Sequence, residues 1–198
     1  MVSGVWYLVT GDQTTRLPDY QTTRQQNTRH PVQNCSWSTS LYRTHVKYND
    51  CTNYEGPQFL KVGQTATDDY YTLMHFDVSS IPLGSVITKA RLKMRVDNAI
   101  GATPRPVRLY EIVGSWTASG VSWCNIPSKG HFLDEVSPPN AGAAIWEGDL
   151  MKLVQCWVDG LCPNDGVALA APGNFTGAYR FYAVESGPPS HPKIQVEY

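Results

Sequence analysis

The strongest constraint on the fold of this chain is an alternation of side-chain type over residues 86–96. Small and apolar side chains occupy every second position: Val86, Thr88, Ala90, Leu92, Met94 and Val96. The positions between them hold Ile87, Lys89, Arg91, Lys93 and Arg95. A period of two is that of a β-strand with one buried face. The pattern therefore predicts a strand whose even positions pack into a core and whose odd positions face water.

Shorter runs of the same kind predict an all-β chain. The further predicted strands are 41–48, 59–62, 70–78, 107–113, 167–171, 178–183 and 193–198. The 198 residues include 14 prolines and 16 glycines, many of which separate these runs where strands would reverse. The absence of long helical crossovers favours antiparallel connections. We therefore expect an antiparallel, jelly-roll-like β-sandwich with one short helix and an N-terminal arm.

The helix is predicted just after residue 149. Asp149 can cap its first turn, and Gly160 can end it. Leu150, Leu153, Val154 and Trp157 share one helical face. A short helix between strands is expected to plug one end of the sandwich.

The first part of the chain has a different character. Residues 13–33 are rich in Gln, Thr, Arg and Asn and contain almost no aliphatic side chains. Such a segment cannot bury enough apolar surface to fold alone. We assign residues 1–45 to an arm and residues 46–198 to the sandwich. Val5, Trp6 and Leu8 are the arm residues expected to anchor on a neighbouring sheet.

A series of motifs from Asn53 onward resembles the DNRLRE-type domain, a family related to carbohydrate-binding modules of extracellular proteins. The matching segments are Asn53-Tyr54-Glu55-Gly56, Phe59 to Gly63, Leu73 to Pro82, Ser115-Trp116-Thr117, Gly120 to Trp123, Val154 to Trp157, Asn164 to Val167 and Pro192 to Tyr198. The resemblance covers about three quarters of the chain and implies a jelly-roll-like sandwich. Trp116, Trp123 and Trp157 are expected to be core residues.

Several classes of function find no support in the sequence. A net charge of −1 provides no field to attract nucleic acid, and no window of about 20 apolar residues predicts a membrane span. No secretory signal is visible at the start. The histidines show neither metal-ligand spacing nor a nucleophile elbow, so we expect no enzyme and no cofactor. The acids Asp68, Asp69, Asp134, Glu135 and Asp165, placed in predicted loops, suit either solvation or a structural calcium site.

The cysteines leave the redox state open. Their number is five and no Cys-x-x-Cys pair occurs, so at least one thiol stays unpaired. In an oxidising environment the pairs nearest in sequence are Cys35 with Cys51 and Cys156 with Cys162. Reduced packing residues are the alternative.

Two functions are compatible with these features. The first is a non-catalytic structural or decorating subunit of an extracellular assembly, such as a virus particle, that binds other subunits and forms a homo-oligomer. The alternative, implied by the resemblance, is a module that binds surface polysaccharide. Tyr54, Tyr70 and Tyr71 are then the candidate sugar-stacking residues. Either function places the protein outside the cell or in a virion.

Overall fold

The computed structural model describes residues 34–101, 105–139, 144–173, 176–183 and 191–198. These ranges contain strands, one α-helix (α1) and a short 3-10 helix at Trp123–Asn125. The elements are β1 (Cys35–Lys47), β2 (Phe59–Gln64), β3 (Asp69–Phe76), β4 (Lys89–Ile100), β5 (Val107–Val113), β6 (Ser128–Val136), β7 (Ile145–Asp149), α1 (Met151–Val158), β8 (Val167–Ala170), β9 (Gly177–Tyr182) and β10 (Lys193–Glu197).

The strand pairing is antiparallel and builds a sandwich, as predicted. In one sheet β10 lies between β1 and the first half of β4, and β7 pairs with the opposite edge of β4. In the other, β1, β3, β8, β5 and β6 follow one another. β9 pairs with the second half of β4 and with β2, which in turn meets the start of β3. β1 belongs to both sheets.

The alternation that defines β4 determines which of its residues form the core. Ala90, Leu92, Met94 and Val96 are fully buried, whereas Arg91, Lys93 and Arg95 are half-buried on the other face. The prediction fails only before the strand, where Val86 is exposed and Ile87 is buried. The backbone N–H of Ile87 donates to Oε1 of Gln155 on α1, at 2.8 Å, so this segment lies against the helix instead of in the sheet.

The predicted helix is confirmed. Its N-cap residue is Leu150 and not Asp149, although Oδ1 of Asp149 accepts a hydrogen bond from the N–H of Met151 at 2.8 Å. Gly160 takes the positive φ of 66° that follows the helix end. The apolar face of α1 packs into the sandwich core. With eight residues α1 is too short to span a bilayer, and the described ranges contain no longer apolar helix.

The boundary of the arm lies earlier than expected. β1 begins at Cys35, so residues 35–45 form part of both sheets and do not belong to an arm. The reason is that this segment pairs along its whole length, which compensates for its polar composition. Val5, Trp6 and Leu8 lie outside the described residues, and their anchoring role stays a prediction.

Two strands escape sequence-based prediction. Within the described ranges β6 lies at the edge of its sheet, pairs with β5 alone and shows no regular alternation of burial. β7 is a short strand in which Trp146 and Gly148 point inward. Asp134 and Glu135 consequently lie in β6 and not in a loop, and Oδ2 of Asp134 accepts a hydrogen bond from the N–H of Asp149 at 2.7 Å.

Candidate functional site

The most open aromatic ring on the outer face of the β1–β10–β4–β7 sheet belongs to Trp37, whose exposed fraction is 51%. Its backbone pairs with Gln195 of β10, one row away from the pairs Lys193 with Lys93 and Lys93 with Glu147. These rows border a shallow cleft of about 240 Å³, here called the Trp37 cleft. Its lining residues are Trp37, Lys93, Arg95, Ile145, Glu147, His191 and Lys193.

The charges in the Trp37 cleft are incompletely balanced. Nζ of Lys93 lies 2.7 Å from a carboxylate oxygen of Glu147. Nζ of Lys193 lies 4.3 Å from the centroid of the Trp37 indole, and that of Lys93 lies 5.7 Å from it. Among the described residues no carboxylate is within ion-pair distance of Lys193 or Arg95. The cleft therefore carries an aromatic ring beside cations that have no acid of their own.

Two polar atoms of the same cleft lack partners in the part of the chain that the structure describes. Nε of Arg95 and Nε2 of His191 are buried there and make no hydrogen bond. A buried donor left unsatisfied costs about 1–3 kcal/mol, so a ligand that supplied an acceptor would recover that free energy. Both nitrogens belong to side chains that line the cleft.

The structure brings two of the three candidate tyrosines together around His45. The rings of Tyr54 and His45 stack with centroids 4.9 Å apart, and Tyr70 meets His45 edge-on at 5.8 Å. The Tyr54 hydroxyl donates to Asp50 at 2.7 Å and the Tyr70 hydroxyl to Asp68 at 3.3 Å. Both hydroxyls are thus already engaged within the protein.

The histidine at the centre of this cluster, His45, is buried. It is only 4% exposed, and burial together with the nearby Lys61 lowers its pKa to about 4. Hydrogen bonds from Thr52 and Tyr54 lower the pKa of Asp50 to about 2, so this carboxylate stays ionised while the imidazole stays neutral. Nδ1 of His45 is buried and has no hydrogen-bond partner among the described residues, so His45 meets Tyr54 and Tyr70 through ring contacts alone.

Tyr71 lies apart from the other two tyrosines. Its ring contacts Trp123 at 5.3 Å and has Nζ of Lys129 at 4.3 Å. It packs against a second apolar cluster on the outer side of the β1–β3–β8–β5 sheet, distinct from the main core. The buried members of this cluster are Val46, Leu73, Ile112, Trp116, Val121 and Ala168.

Residues 114–127, here called the loop cover, supply part of this second cluster. Trp116 is buried in it, as predicted, and its indole N–H donates to the carbonyl of Asp165 at 2.8 Å. Trp157 is also buried as predicted, whereas Trp123 is only half-buried. The side-chain amide of Asn53 donates to the carbonyls of Ala118 and Val121, both at 2.6 Å.

The cysteine pairing is partly as expected. Cys156 and Cys162 form a disulfide, which confirms one predicted pair. The other prediction is wrong, because Cys51 pairs with Cys124 of the loop cover across 73 residues and Cys35 is free and exposed. Sequence proximity failed because Cys35 pairs with Glu197 in the sheet, whereas the Cα atoms of Cys51 and Cys124 lie 5.2 Å apart.

Other acids and histidines of the described ranges have partners close by. Oδ2 of Asp165 accepts from the N–H of Gly114 at 2.9 Å, and Nδ1 of His131 lies 2.7 Å from Glu111. Asp69 begins β3, and its burial raises its pKa. Within the described ranges no group of three or more His, Cys, Asp or Glu side chains could hold a metal ion. Calcium binding stays an untested expectation.

An antiparallel sandwich with an open tryptophan and unpaired cations on one sheet face has the features of a binding module. The sequence model of carbohydrate-binding module family 96 matches residues 42–198, and the chain belongs to this family. No curated protein sequence matches the chain. The match supports the relation to carbohydrate-binding modules that the resemblance implied, and leaves the DNRLRE-type assignment untested. Trp37 lies just before the matched range, whereas the other residues of its cleft lie within it.

Proposed function

We propose that the sandwich binds an acidic polysaccharide in the Trp37 cleft. The observation that carries the proposal is the half-exposed indole of Trp37, flanked by the amino groups of Lys93 and Lys193 on a sheet face. The family supplies the ligand class, carbohydrate, and the charges supply the preference within it.

The chemistry of the cleft suits a carboxylated or sulfated sugar. An indole offers a flat apolar surface for the C–H face of a sugar ring, while Lys193 and Arg95 offer positive charge to its acidic group. The buried Nε–H of Arg95 has no acceptor among the described residues, so the guanidinium keeps donor capacity for such an oxygen. Glu147, which pairs with Lys93, fixes one wall of the cleft.

We place the primary contact at Trp37 and not at the three tyrosines. The hydroxyls of Tyr54 and Tyr70 are engaged by carboxylates, and the ring of Tyr71 is half-buried against Trp123 and Lys129. Stacking on a sugar requires a free ring face, which Trp37 offers to a greater degree.

Carbohydrate binding is the part of the proposal that the family supports most directly, since its members are described as carbohydrate-binding modules. The two disulfides suit an oxidising, extracellular setting. An assembly role depends on the arm, whose residues 1–33 lie outside the described ranges. No contact within those ranges favours assembly over sugar binding, so the carbohydrate function is the one we propose.

The test is affinity electrophoresis and calorimetry with a panel of acidic and neutral polysaccharides. Each acidic polymer is compared with its own carboxyl-reduced or desulfated form. We expect retention by an acidic polymer, weaker binding after its charge is removed, and a loss of affinity with added salt. Trp37→Ala should weaken binding at least about tenfold, the equivalent of about 1.4 kcal/mol.

The matched control is Tyr48→Ala, which removes an equally exposed ring beside Trp123 of the loop cover. This variant should bind like the unmodified protein. The proposal is overturned if no polysaccharide in the panel binds, or if Trp37→Ala and Tyr48→Ala bind equally well.

A further inference from the structure

A continuous series of side chains leads away from the Trp37 cleft, from β4 onto β9 and then onto β2. Arg95 lines the cleft, and its guanidinium carbon lies 5.5 Å from the ring centroid of Tyr182 on β9. The rings of Tyr182 and Phe59 are 5.5 Å apart and belong to residues that pair directly across β9 and β2. The aromatic surface therefore extends from β4 across β9 to β2.

The next step along the sheet places two cations side by side. The guanidinium of Arg180 lies 4.3 Å from the Phe59 ring centroid and forms an ion pair with Asp97. Arg180 pairs directly with Lys61 across β9 and β2. Like charges directly opposite on neighbouring strands are unfavourable. Asp97 offsets the charge of Arg180, which leaves the charge of Lys61 available to a bound anion.

Lys61 lies between these residues and Tyr70, one of the tyrosines predicted to stack on a sugar. Its Nζ lies 5.0 Å from the ring centroid of Tyr70, and among the described residues no carboxylate is within ion-pair distance of it. The side chains of Phe59, Lys61, Tyr70, Arg180 and Tyr182 are all only half-buried, so a ligand can reach each of them.

We infer that these side chains form one extended binding path for a polymer chain, with the Trp37 cleft at one end and Lys61 and Tyr70 at the other. The inference rests on the proposed function and adds the length of ligand that the site holds. Along β4, the separation from Lys93 to Asn98, the partner of Arg180, is roughly 17 Å at about 3.3 Å per residue. Lys61 and Tyr70 extend the path further, so it suits an oligosaccharide of several units and not a single sugar.

The experiment measures affinity for a size series of oligosaccharides cut from whichever acidic polymer binds. It uses the full chain and the variants Trp37→Ala, Lys61→Gln and Lys152→Gln. Lys152 is an exposed lysine of α1 and provides a charge-matched control. Melting temperatures confirm that each variant is folded.

Affinity should rise with oligosaccharide length beyond the shortest fragment that binds. Lys61→Gln should weaken the long fragments about tenfold, the size expected for one charge-assisted contact, and leave the shortest unchanged. Trp37→Ala should weaken every length, and Lys152→Gln none.

Two outcomes separate this inference from the proposed function. If affinity is independent of length and Lys61→Gln binds all fragments normally while Trp37→Ala does not, the extended path is refuted and the cleft stands. If no fragment or polymer binds at all, the proposed function itself fails.

Discussion

Two sheet faces carry a lysine over aromatic rings, and they differ in whether those rings are covered. At the Trp37 cleft the amino group of Lys193 lies over an indole that is half exposed. On the opposite sheet the amino group of Lys129 lies over Tyr71 and Tyr110, at 4.3 and 5.3 Å, and burial lowers the pKa of Lys129. A cation–π contact therefore does not itself mark a binding surface. The accessible ring face distinguishes the two.

The covered face is held closed by covalent and polar links. The Cys51–Cys124 disulfide joins the β1–β2 connection to the loop cover, and Asn53 adds two hydrogen bonds beside it. Trp116 contributes its indole to the buried cluster below. These residues stabilise the fold, whereas Trp37 contributes little to the core and is available to a ligand.

The largest expected effect comes from comparing a buried position of β4 with the neighbouring position on its outer face. Leu92→Asp places an unpaired carboxylate at a fully buried position, so we expect a loss of several kcal/mol in unfolding free energy. Lys93→Gln, one residue away, should change stability by less than about 1 kcal/mol and should instead weaken polysaccharide binding. Denaturant unfolding and calorimetry measure both. Equal destabilisation of the two variants would show that the strand register is wrong.

The second prediction compares the two tryptophans. Trp116→Ala should cost about 3–5 kcal/mol because it empties a buried site, while the variant, where folded, should still bind polysaccharide. Trp37→Ala should cost less than about 1 kcal/mol and lose binding. Thermal unfolding and binding assays on the same samples check this reversal. Loss of binding in both variants, with both folded, would mean that the two faces are not independent.

The third prediction concerns the link that closes the loop cover. Removing Cys51–Cys124 releases a loop of 73 residues and should cost about 4 kcal/mol, whereas removing Cys156–Cys162 releases 6 residues and should cost about 2 kcal/mol, on the chain-entropy model. Paired alanine variants are compared by denaturant unfolding. Neither pair lies at the Trp37 cleft, so binding by the folded variants should persist. A larger loss of unfolding free energy on removing Cys156–Cys162 than on removing Cys51–Cys124 would contradict the chain-entropy explanation.

The fourth prediction is a pH dependence from His45 at the far end of the extended path. Its folded pKa of about 4 is below the ordinary value of 6.5, so the unfolded chain binds more protons between these values. The contribution of neutral His45 to the unfolding free energy should be fully present above pH 6.5. The unfolding free energy should fall by up to about 3 kcal/mol as the pH decreases to 4. The low pKa of Asp50 affects the unfolding free energy only below this pH range, because Asp50 titrates between its ordinary pKa of 3.8 and about 2.

The measurement is unfolding free energy from pH 7 to pH 4 for three proteins. His45→Asn should lose most of the decline, and His131→Asn, at an exposed histidine, should keep it. If His45→Asn retains the full slope, then His45 is not the group responsible.

Much of the fold is predictable because burial on one side imposes a period of two, which β4 shows most clearly. β6 carries no such signal, since an edge strand with irregular pairing exposes side chains on both faces. β7 is too short for periodicity, and Gly148 occupies an inward position that a larger residue would fill in a regular pattern. At Gly148 the methyl groups of Leu109 occupy the space of a side chain, and one of them would lie 2.7 Å from an added Cβ.

The candidate site was less predictable than the fold. The sequence singles out Tyr70, which we include in the proposed path, but it does not single out Trp37, which falls in a polar segment that alone resembles an arm. Its role depends on β10, a partner strand more than 150 residues later in the chain. The pairing of Cys51 with Cys124 is equally non-local. Contacts of this range leave no periodic trace in the sequence.

The meeting of Asn34 and Tyr198 has a mechanical consequence. The N–H of Asn34 donates to the carbonyl of Tyr198 at 2.8 Å, and the N–H of Tyr198 donates back at 3.0 Å. β1 and β10 are antiparallel, so tension applied between these two residues peels the strands apart one bonded pair at a time. The hydrogen bonds between β1 and β10 are then loaded one pair after another and not all together. A force applied between Asn34 and Tyr198 should therefore separate these two strands at low load, starting from this pair.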